Sequence, residues 1–197
     1  MTKAPALQPG YFDALYASKA DPWGFETSAY EDAKYAATLA ALGDRHYANA
    51  IEVGCSIGVL TARLAPLCSS LLATDVATAA LDTSRKRCAA MANVRFELST
   101  LPDRTPEGRY DLILLSEVLY YFDGAAIAAV AASVRAMALP GADILLVHWL
   151  GPTPDYPHTG DEAVAAFKAA LGHVDVKLQR RTPEDRLDLL AVFPDPR

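Results

Sequence analysis

Between residues 50 and 75 the chain carries an apolar run, a two-glycine turn, a helical stretch, a second apolar run and an acid, and few folds accept that succession. Ala50-Ile51 and Val53 suit a buried strand, Gly54 and Gly58 let the backbone turn tightly through Cys55, Ser56 and Ile57, and Val59 to Leu67 has helical spacing. The N–H groups at such a turn attract an anionic group. Seventeen positions after Gly58, Asp75 closes the run Leu71-Leu72-Ala73-Thr74. A carboxylate at that strand end accepts the hydroxyl protons of a ribose. The succession therefore points to a parallel α/β sheet that holds a nucleoside-bearing ligand. An ordinary strand-turn-helix, with Glu52 partly solvated and the glycines serving only packing, is the plainer alternative; Asp75 argues against it.

What the loop lacks narrows the ligand. A dinucleotide fingerprint starting at Gly54 needs glycines where Ser56 and Val59 stand, so close approach of a pyrophosphate is disfavoured, and no Gly-Lys-Ser/Thr follows to make a P-loop. The remaining pattern, Glu52-x-Gly54-x-x-x-Gly58, resembles the first motif of class I S-adenosylmethionine-dependent methyltransferases. That resemblance implies an amino-acid cofactor, with its ammonium near Glu52 and its carboxylate facing the amides of Cys55 and Ser56.

The chain has 197 residues, 52% of them apolar, enough for one full core, and a single domain is expected over 1–197. Its net charge of −6 comes without a long basic stripe; Arg85-Lys86-Arg87 and Arg180-Arg181 read as solvated edges, so nucleic acid is disfavoured as a partner. No signal pattern opens the chain and the alanine-rich run Gly124 to Leu139 is too short to span a bilayer, which makes a cytoplasmic location without membrane contact the expectation. Cys55, Cys68 and Cys88 are odd in number and lack metal-ligand spacing, so neither disulfides nor a metal site is expected, and the three read as small buried hydrophobes. The oligomeric state is not legible.

Periodicity predicts strands at Ala50–Val53, Ser70–Asp75, Val94–Leu98, Asp111–Leu115 and Ala142–Trp149, with helices at Ser28–Leu42, Ile57–Leu67, Thr78–Met91 and Asp123–Leu139. Thr159-Gly160-Asp161-Glu162 opens a helix to about Leu171 through a capping box, and Val174–Leu178 with Leu187–Phe193 then makes an antiparallel hairpin. This resembles the seven-stranded, mostly parallel methyltransferase sheet with helices on both faces. It divides into an N-terminal helical lid segment (1–44), a cofactor-binding core (45–149) and a C-terminal helix and hairpin (150–197). Ligands bind such sheets at the carboxyl ends of the strands, so Gly54, Asp75, Ser99, Thr100, Ser116, Glu117, His148 and Trp149 are expected to converge.

The run Glu52-Val53-Gly54-Cys55-Ser56-Ile57-Gly58, with Leu60-Thr61 and Arg63-Leu64-Ala65, then Asp111-Leu112-Ile113 leading into Ser116-Glu117-Val118-Leu119-Tyr120-Tyr121, is similar to the nodulation protein S family over about residues 45–150. The resemblance implies a small S-adenosylmethionine-dependent N-methyltransferase. The best-known member methylates the free amine of a deacetylated chitooligosaccharide, which implies an amino sugar or other small amine as acceptor.

One departure lies after the third strand, where many class I methyltransferases carry an acid for the adenine amino group and this chain has Leu98-Ser99-Thr100-Leu101. Ser99 or Thr100 can accept that bond and Leu101 can cover the purine; a solvated loop before Pro102-Asp103 is the alternative. Val76 and Val118 flank the expected cofactor contacts at Asp75 and at Ser116-Glu117. Glu117 has two readings: orienting the acceptor and stabilising its growing positive charge, or capping a helix and meeting the cofactor's amide. His148 is either a general base or a buried structural histidine. The aromatic segment Tyr11 to Tyr30 reads as a lid in which Trp23 and Tyr30 touch substrate, or as a helix packed through its rings. Tyr120, Tyr121, Trp149 and, at the rim, His158 complete the expected acceptor pocket. O-methylation, a catalytically idle cofactor-binding module and, more remotely, an NAD-linked dehydrogenase are the competing functions.

Overall fold

A computed structural model describes residues 5–192. The elements follow in the order α1 (Pro9–Ser18), α2 (Ala29–Leu42), β1 (Ala50–Val53), α3 (Val59–Leu64), β2 (Leu71–Asp75), α4 (Thr78–Arg87), β3 (Val94–Leu98), β4 (Tyr110–Ser116), α5 (Gly124–Met137), β5 (Ala138–Trp149), α6 (Gly160–Leu171), β6 (Val174–Arg181) and β7 (Asp185–Val192). Strand order along the seven-stranded sheet is β3-β2-β1-β4-β5-β7-β6. Only β7 runs against its neighbours, pairing antiparallel with both β5 and β6. The fold is that of class I methyltransferases, as expected. Contacts gather the chain into two compact units, residues 8–100 and residues 101–192 with 5–7.

In the first unit β2 lies between β1 and β3 in parallel register, Ile51 beside Leu72 and Ala73 beside Phe96. β1 and β2 are buried at every position, which is why both read as continuous apolar runs rather than alternating ones. Ser28 caps α2 by accepting the Glu31 N–H. The helix expected over Ile57–Leu67 is shorter, because Gly58 enters it in the left-handed region and Pro66 removes an amide and tightens the last turn into a 3-10 segment, Ala65–Leu67. α4 stops at Arg87 rather than Met91, since Cys88 leaves the helical region and the next residues form a turn.

In the second unit β4 and β5 pair in parallel through Leu112–Ser116, and the interior is filled by Ile113, Leu115, Leu145, Val130, Val134 and Phe167. Asp123 caps α5 by accepting the Ala126 N–H, and Arg135 at its far end donates to the Leu171 carbonyl that closes α6. The expected capping box at Thr159 and Glu162 is present. α5 ends two residues before the expected Leu139 because Pro140 disfavours the helical region for its predecessor.

β6 extends beyond Leu178 to Arg181. As an edge strand it is exposed at nearly every position, so its last residues needed no apolar pattern, and Lys177, Arg180 and Arg181 guard the open edge. β7 begins at Asp185; the expected last residue of that strand, Phe193, lies outside the described residues, as do residues 1–4 and 194–197 of the expected domain span. The three cysteines are free and buried. Among the described residues, no helix is long and apolar enough to cross a membrane, and no group of three or more His, Cys, Asp or Glu could hold a metal ion.

Candidate functional site

In the first unit the glycine loop leaves β1 at Gly54 (φ +79°), passes Ser56 in the left-handed region (φ +50°) and enters α3 at Gly58 (φ +79°). Three such residues in five fold the chain back on itself, and its amides are used internally, Gly54 and Cys55 donating to the Thr74 carbonyl, Ser56 to Asp75 and Gly58 to the Cys55 carbonyl, rather than facing an anion as expected from the sequence. Gly58 has a second reason to be glycine: a Cβ there would stand 2.7 Å from the Ser84 Cβ and 3.0 Å from its Cα, so α4 packs against bare backbone. Arg87 fixes the loop from the same helix by donating Nε to the Ile57 carbonyl at 2.8 Å, and it is ion-paired with Glu26. Within the run Arg85-Lys86-Arg87, expected to be solvated, this residue is structural.

Asp75 ends β2 with its carboxylate turned onto the loop. Oδ2 accepts the Ser56 N–H at 2.8 Å and Oδ1 the Ala77 N–H at 2.9 Å. Burial raises its pKa above the usual carboxylate range, and the amides of Ala77, Ser56 and Val76 offset only part of that rise. Glu52 is 1% exposed and accepts the Thr61 hydroxyl at 2.6 Å; burial pushes its pKa up to about 7, with the Asp75 charge adding to the push and the Thr61 bond opposing it. Cys55 is buried beside them and its thiol is pushed well up by burial and then by Asp75. Ser99, the residue after β3, is buried and donates its N–H to the Asp75 carbonyl, which places the start of the Ser99-Thr100 segment beside the end of β2; Thr100 and Val76 are half-buried.

α1 lies against this loop. The Tyr16 and Ser56 hydroxyls are hydrogen-bonded, and burial followed by the Asp75 charge drives the Tyr16 pKa far up, so it remains a neutral phenol. The ring of Tyr16 meets Trp23 edge-on, and Trp23 meets Phe25. Asp21 holds that turn by accepting the N–H groups of Phe25 and Glu26. Trp23 is thus tied to the glycine loop through Tyr16, whereas Tyr30 sits on α2 with the Lys34 ammonium 5.0 Å from its ring centre. In the sequence Tyr16 belongs to a segment that reads as a lid or as a helix packed through its rings; its hydroxyl reaches a residue 40 positions away, and no local pattern announces that.

In the second unit β4 ends at Ser116, and Glu117 follows in the left-handed region (φ +58°), held there by its own N–H donating to the Val147 carbonyl at 2.9 Å. Its Oε2 accepts the Trp149 N–H at 2.8 Å and the Tyr120 hydroxyl at 2.7 Å. Tyr120 and Tyr121 occupy a 3-10 turn, Leu119–Tyr121, that starts at Val118. Burial, then the neighbouring Glu117 charge, raises the Tyr120 hydroxyl well above its usual pKa, so it donates as a neutral phenol.

His148 is fully buried in β5, and its Nε2 accepts the Leu119 N–H at 3.2 Å. That assigns the proton to Nδ1 in the neutral ring and engages the Nε2 lone pair in holding the tyrosine turn. His158 is buried as well, its carbonyl accepting the Thr153 hydroxyl, rather than standing at an open rim. Tyr156, which the sequence did not single out, stacks on Tyr120 at 5.5 Å and 14°. Leu101 is buried in this unit. The structure therefore gathers Glu52, Gly54, Cys55, Ser56, Gly58, Asp75, Val76 and Ser99 in one unit, and Glu117, Val118, Tyr120, Tyr121, His148 and Trp149 in the other.

The model of the nodulation protein S (NodS) family matches residues 15–145. Nodulation protein S of Rhizobium tropici is 34% identical over 180 residues, 87% of this chain and 74% of that protein. Against three further nodulation S proteins the match spans only about half of their length, 49–50%. Among solved structures, the N-methyltransferase NodS of Bradyrhizobium japonicum WM9 in complex with S-adenosyl-L-homocysteine superposes with a TM-score of 0.80 at 18% identity, covering 92% of this chain and 96% of that one. A putative methyltransferase from Pseudomonas syringae superposes with a TM-score of 0.73 at 31% identity, covering 83% and 99%.

Proposed function

The chain belongs to the nodulation protein S family and is an S-adenosylmethionine-dependent methyltransferase, and we propose that its acceptor is the unprotonated amine of a small molecule, with an amino sugar as the first candidate. Two buried acids suit the cofactor. Asp75 offers its remaining lone pairs to ribose hydroxyls, and Glu52, next to the loop, suits an ammonium. The Cys55 and Ser56 amides expected to meet the cofactor's carboxylate donate instead to the Thr74 carbonyl and to Asp75, so the carboxylate would have to exchange for one of those bonds. Ser56 cannot serve a pyrophosphate in the manner of a glycine, and its hydroxyl is engaged by Tyr16.

When bound, S-adenosylmethionine supplies an electrophilic methyl group on sulfonium. The chain's own residues then need to align a lone pair and tolerate the cation that forms. Alignment is potentially worth roughly 7–11 kcal/mol. The observation that carries the amine reading is the contrast between two groups of the second unit. Glu117 presents a carboxylate held by neutral donors, suited to a developing ammonium, whereas the Nε2 lone pair of His148 is taken by the Leu119 amide. A hydroxyl acceptor requires a base to remove its proton during attack, and His148 serves only by surrendering that bond. In the second unit Tyr120, Tyr121 and Trp149 are the aromatic surfaces proposed to exclude water around the acceptor, with His148 edge-on to Tyr120.

The test is incubation with isotopically labelled S-adenosylmethionine and a panel of amines and alcohols, de-N-acetylated chitooligosaccharides included, followed by mass spectrometry of the methylated atom. Label on nitrogen is expected, with Glu117→Gln lowering turnover more than cofactor affinity. Label on oxygen, together with a loss of about 10²–10⁴-fold in His148→Ala, would overturn the amine reading.

A further inference from the structure

Tyr156 stands in the middle of the 150–159 loop and has no part in the reading above. Its ring stacks on Tyr120 at 5.5 Å and 14° and meets Tyr121 at 4.9 Å and 70°. Tyr120 is enclosed on its other sides by the edges of Tyr121, at 4.7 Å and 84°, and His148, at 5.6 Å and 86°. A ring boxed in this way has one orientation, and that orientation aims its hydroxyl at Oε2 of Glu117. Remove the stacked face and Tyr120 gains room to rotate away.

Glu117 depends on such holding, because its backbone adopts the left-handed region that side chains other than glycine rarely occupy. Strand and loop each hold it. At the end of β5 Trp149 donates its N–H directly to the carboxylate, and from the loop Tyr156 acts through Tyr120. The loop is itself braced, by the Tyr156 N–H to the Thr153 carbonyl at 3.2 Å, the Thr153 hydroxyl to the His158 carbonyl at 3.0 Å, and the Leu150 N–H to the Glu184 carbonyl at 2.8 Å.

We propose that Tyr156 is a positioning residue: by stacking on Tyr120 it fixes the phenol that holds Glu117, and so ties the conformation of the 150–159 loop to the carboxylate that orients the acceptor. The inference rests on the role given to Glu117 in the proposed function. Among ionisable side chains, Tyr120 bonds that carboxylate and Tyr121 feels its charge, while Tyr156 and His148 touch Tyr120. The Tyr120 and Tyr121 hydroxyls are held well above their usual pKa, burial being the first cause in each, so neither titrates in the range where a carboxylate does.

A carboxylate that loses a hydrogen-bond donor titrates at higher pH. The test is therefore a carbon-13 NMR titration of the full chain labelled at the glutamate carboxyl carbons, with the Glu117 signal assigned by its disappearance in Glu117→Gln. Tyr120→Phe is expected to move the Glu117 midpoint upward by about one pH unit. Tyr156→Ala should move it in the same direction, and Tyr156→Phe, which keeps the stack and gives up only the hydroxyl's bond with Tyr121, should move it far less. If Tyr156→Ala fails to fold, Tyr156→Leu replaces it under the same expectation. A Glu117 midpoint unchanged in Tyr156→Ala, with or without a change in thermal stability, overturns the inference, as does an unchanged midpoint in Tyr120→Phe. Since the titration reads no turnover, a wrong acceptor shows in the labelling panel and a wrong role for Tyr156 shows here.

Discussion

Asp75 and Glu52 in the first unit and Asp188 in the second are nearly inaccessible carboxyls, 8%, 1% and 1% exposed, yet they are settled in opposite ways. Asp188 accepts from Lys168, Gln179 and both Nε and a terminal nitrogen of Arg186. Burial alone would raise its pKa, but those donors outweigh it and hold the group below the usual range. Asp75 and Glu52 meet amides and a hydroxyl instead, and burial wins, leaving both raised. A buried acid whose charge is matched by arginine and lysine is finished as structure. One that is held only by neutral donors is costly in isolation and suits a ligand that brings hydroxyls or an ammonium, which is the complement that a nucleoside with an amino-acid tail offers.

The largest effect expected from this contrast is on stability in the hairpin. Asp188→Ala leaves Arg186 and Lys168 facing a buried void and should cost about 3–5 kcal/mol in urea unfolding, with affinity for S-adenosylhomocysteine unchanged in the folded fraction. A loss of cofactor affinity without a loss of stability would erase the distinction between the two regions.

The next effect depends on pH. Glu52 binds its proton up to about pH 7 in the folded state against an ordinary value of 4.5, so the folded chain holds the proton more tightly throughout that window. Its favourable contribution is therefore complete below about pH 4.5, declines as pH rises to about 7, and is flat above. The total is about 3 kcal/mol. Glu52→Gln keeps an acceptor for Thr61 and removes the charge, so the cofactor-free variant should lack this decline. Parallel stability curves for the two proteins between pH 5 and 8 would mean that a cation compensates Glu52.

The smallest effect belongs to Asp161, which Arg181 and Arg186 hold below the usual range at an exposed position. Asp161→Asn should cost no more than about 1 kcal/mol, and the cost should shrink in high salt. A cost rivalling that of Asp188 would show that exposure does not separate the two.

The sequence was most legible where the structure is most local. Strand, turn, helix and acid between Ala50 and Asp75 follow one another within one stretch of chain, so spacing alone places Asp75 at a strand end beside the glycine turn, though it does not announce the Ser56 N–H that its carboxylate accepts. The Thr159 and Glu162 cap is legible for the same reason. Legibility fails where distant segments meet. Tyr16 reaches Ser56 across 40 positions, and Tyr156 reaches Tyr120 from a proline-rich loop with no periodicity. It also fails where one residue type serves two ends: Arg87 looked like its exposed neighbours Arg85 and Lys86, yet its Nε anchors the loop. β6 ran longer than its apolar pattern because an edge strand exposed on both faces carries no such pattern.

The central claim, that the uncompensated acids of the first unit exist for the cofactor, is tested most directly by calorimetry of S-adenosylhomocysteine with wild-type and Asp75→Ala protein, and with NAD as the control ligand. Wild type is expected to bind the sulfur nucleoside and ignore NAD. Asp75→Ala should bind about tenfold more weakly or worse, the worth of one to two hydrogen bonds, while unfolding no more readily than its lost amide contacts require. Unchanged affinity in Asp75→Ala, or tight binding of NAD with no response to S-adenosylhomocysteine, would contradict it.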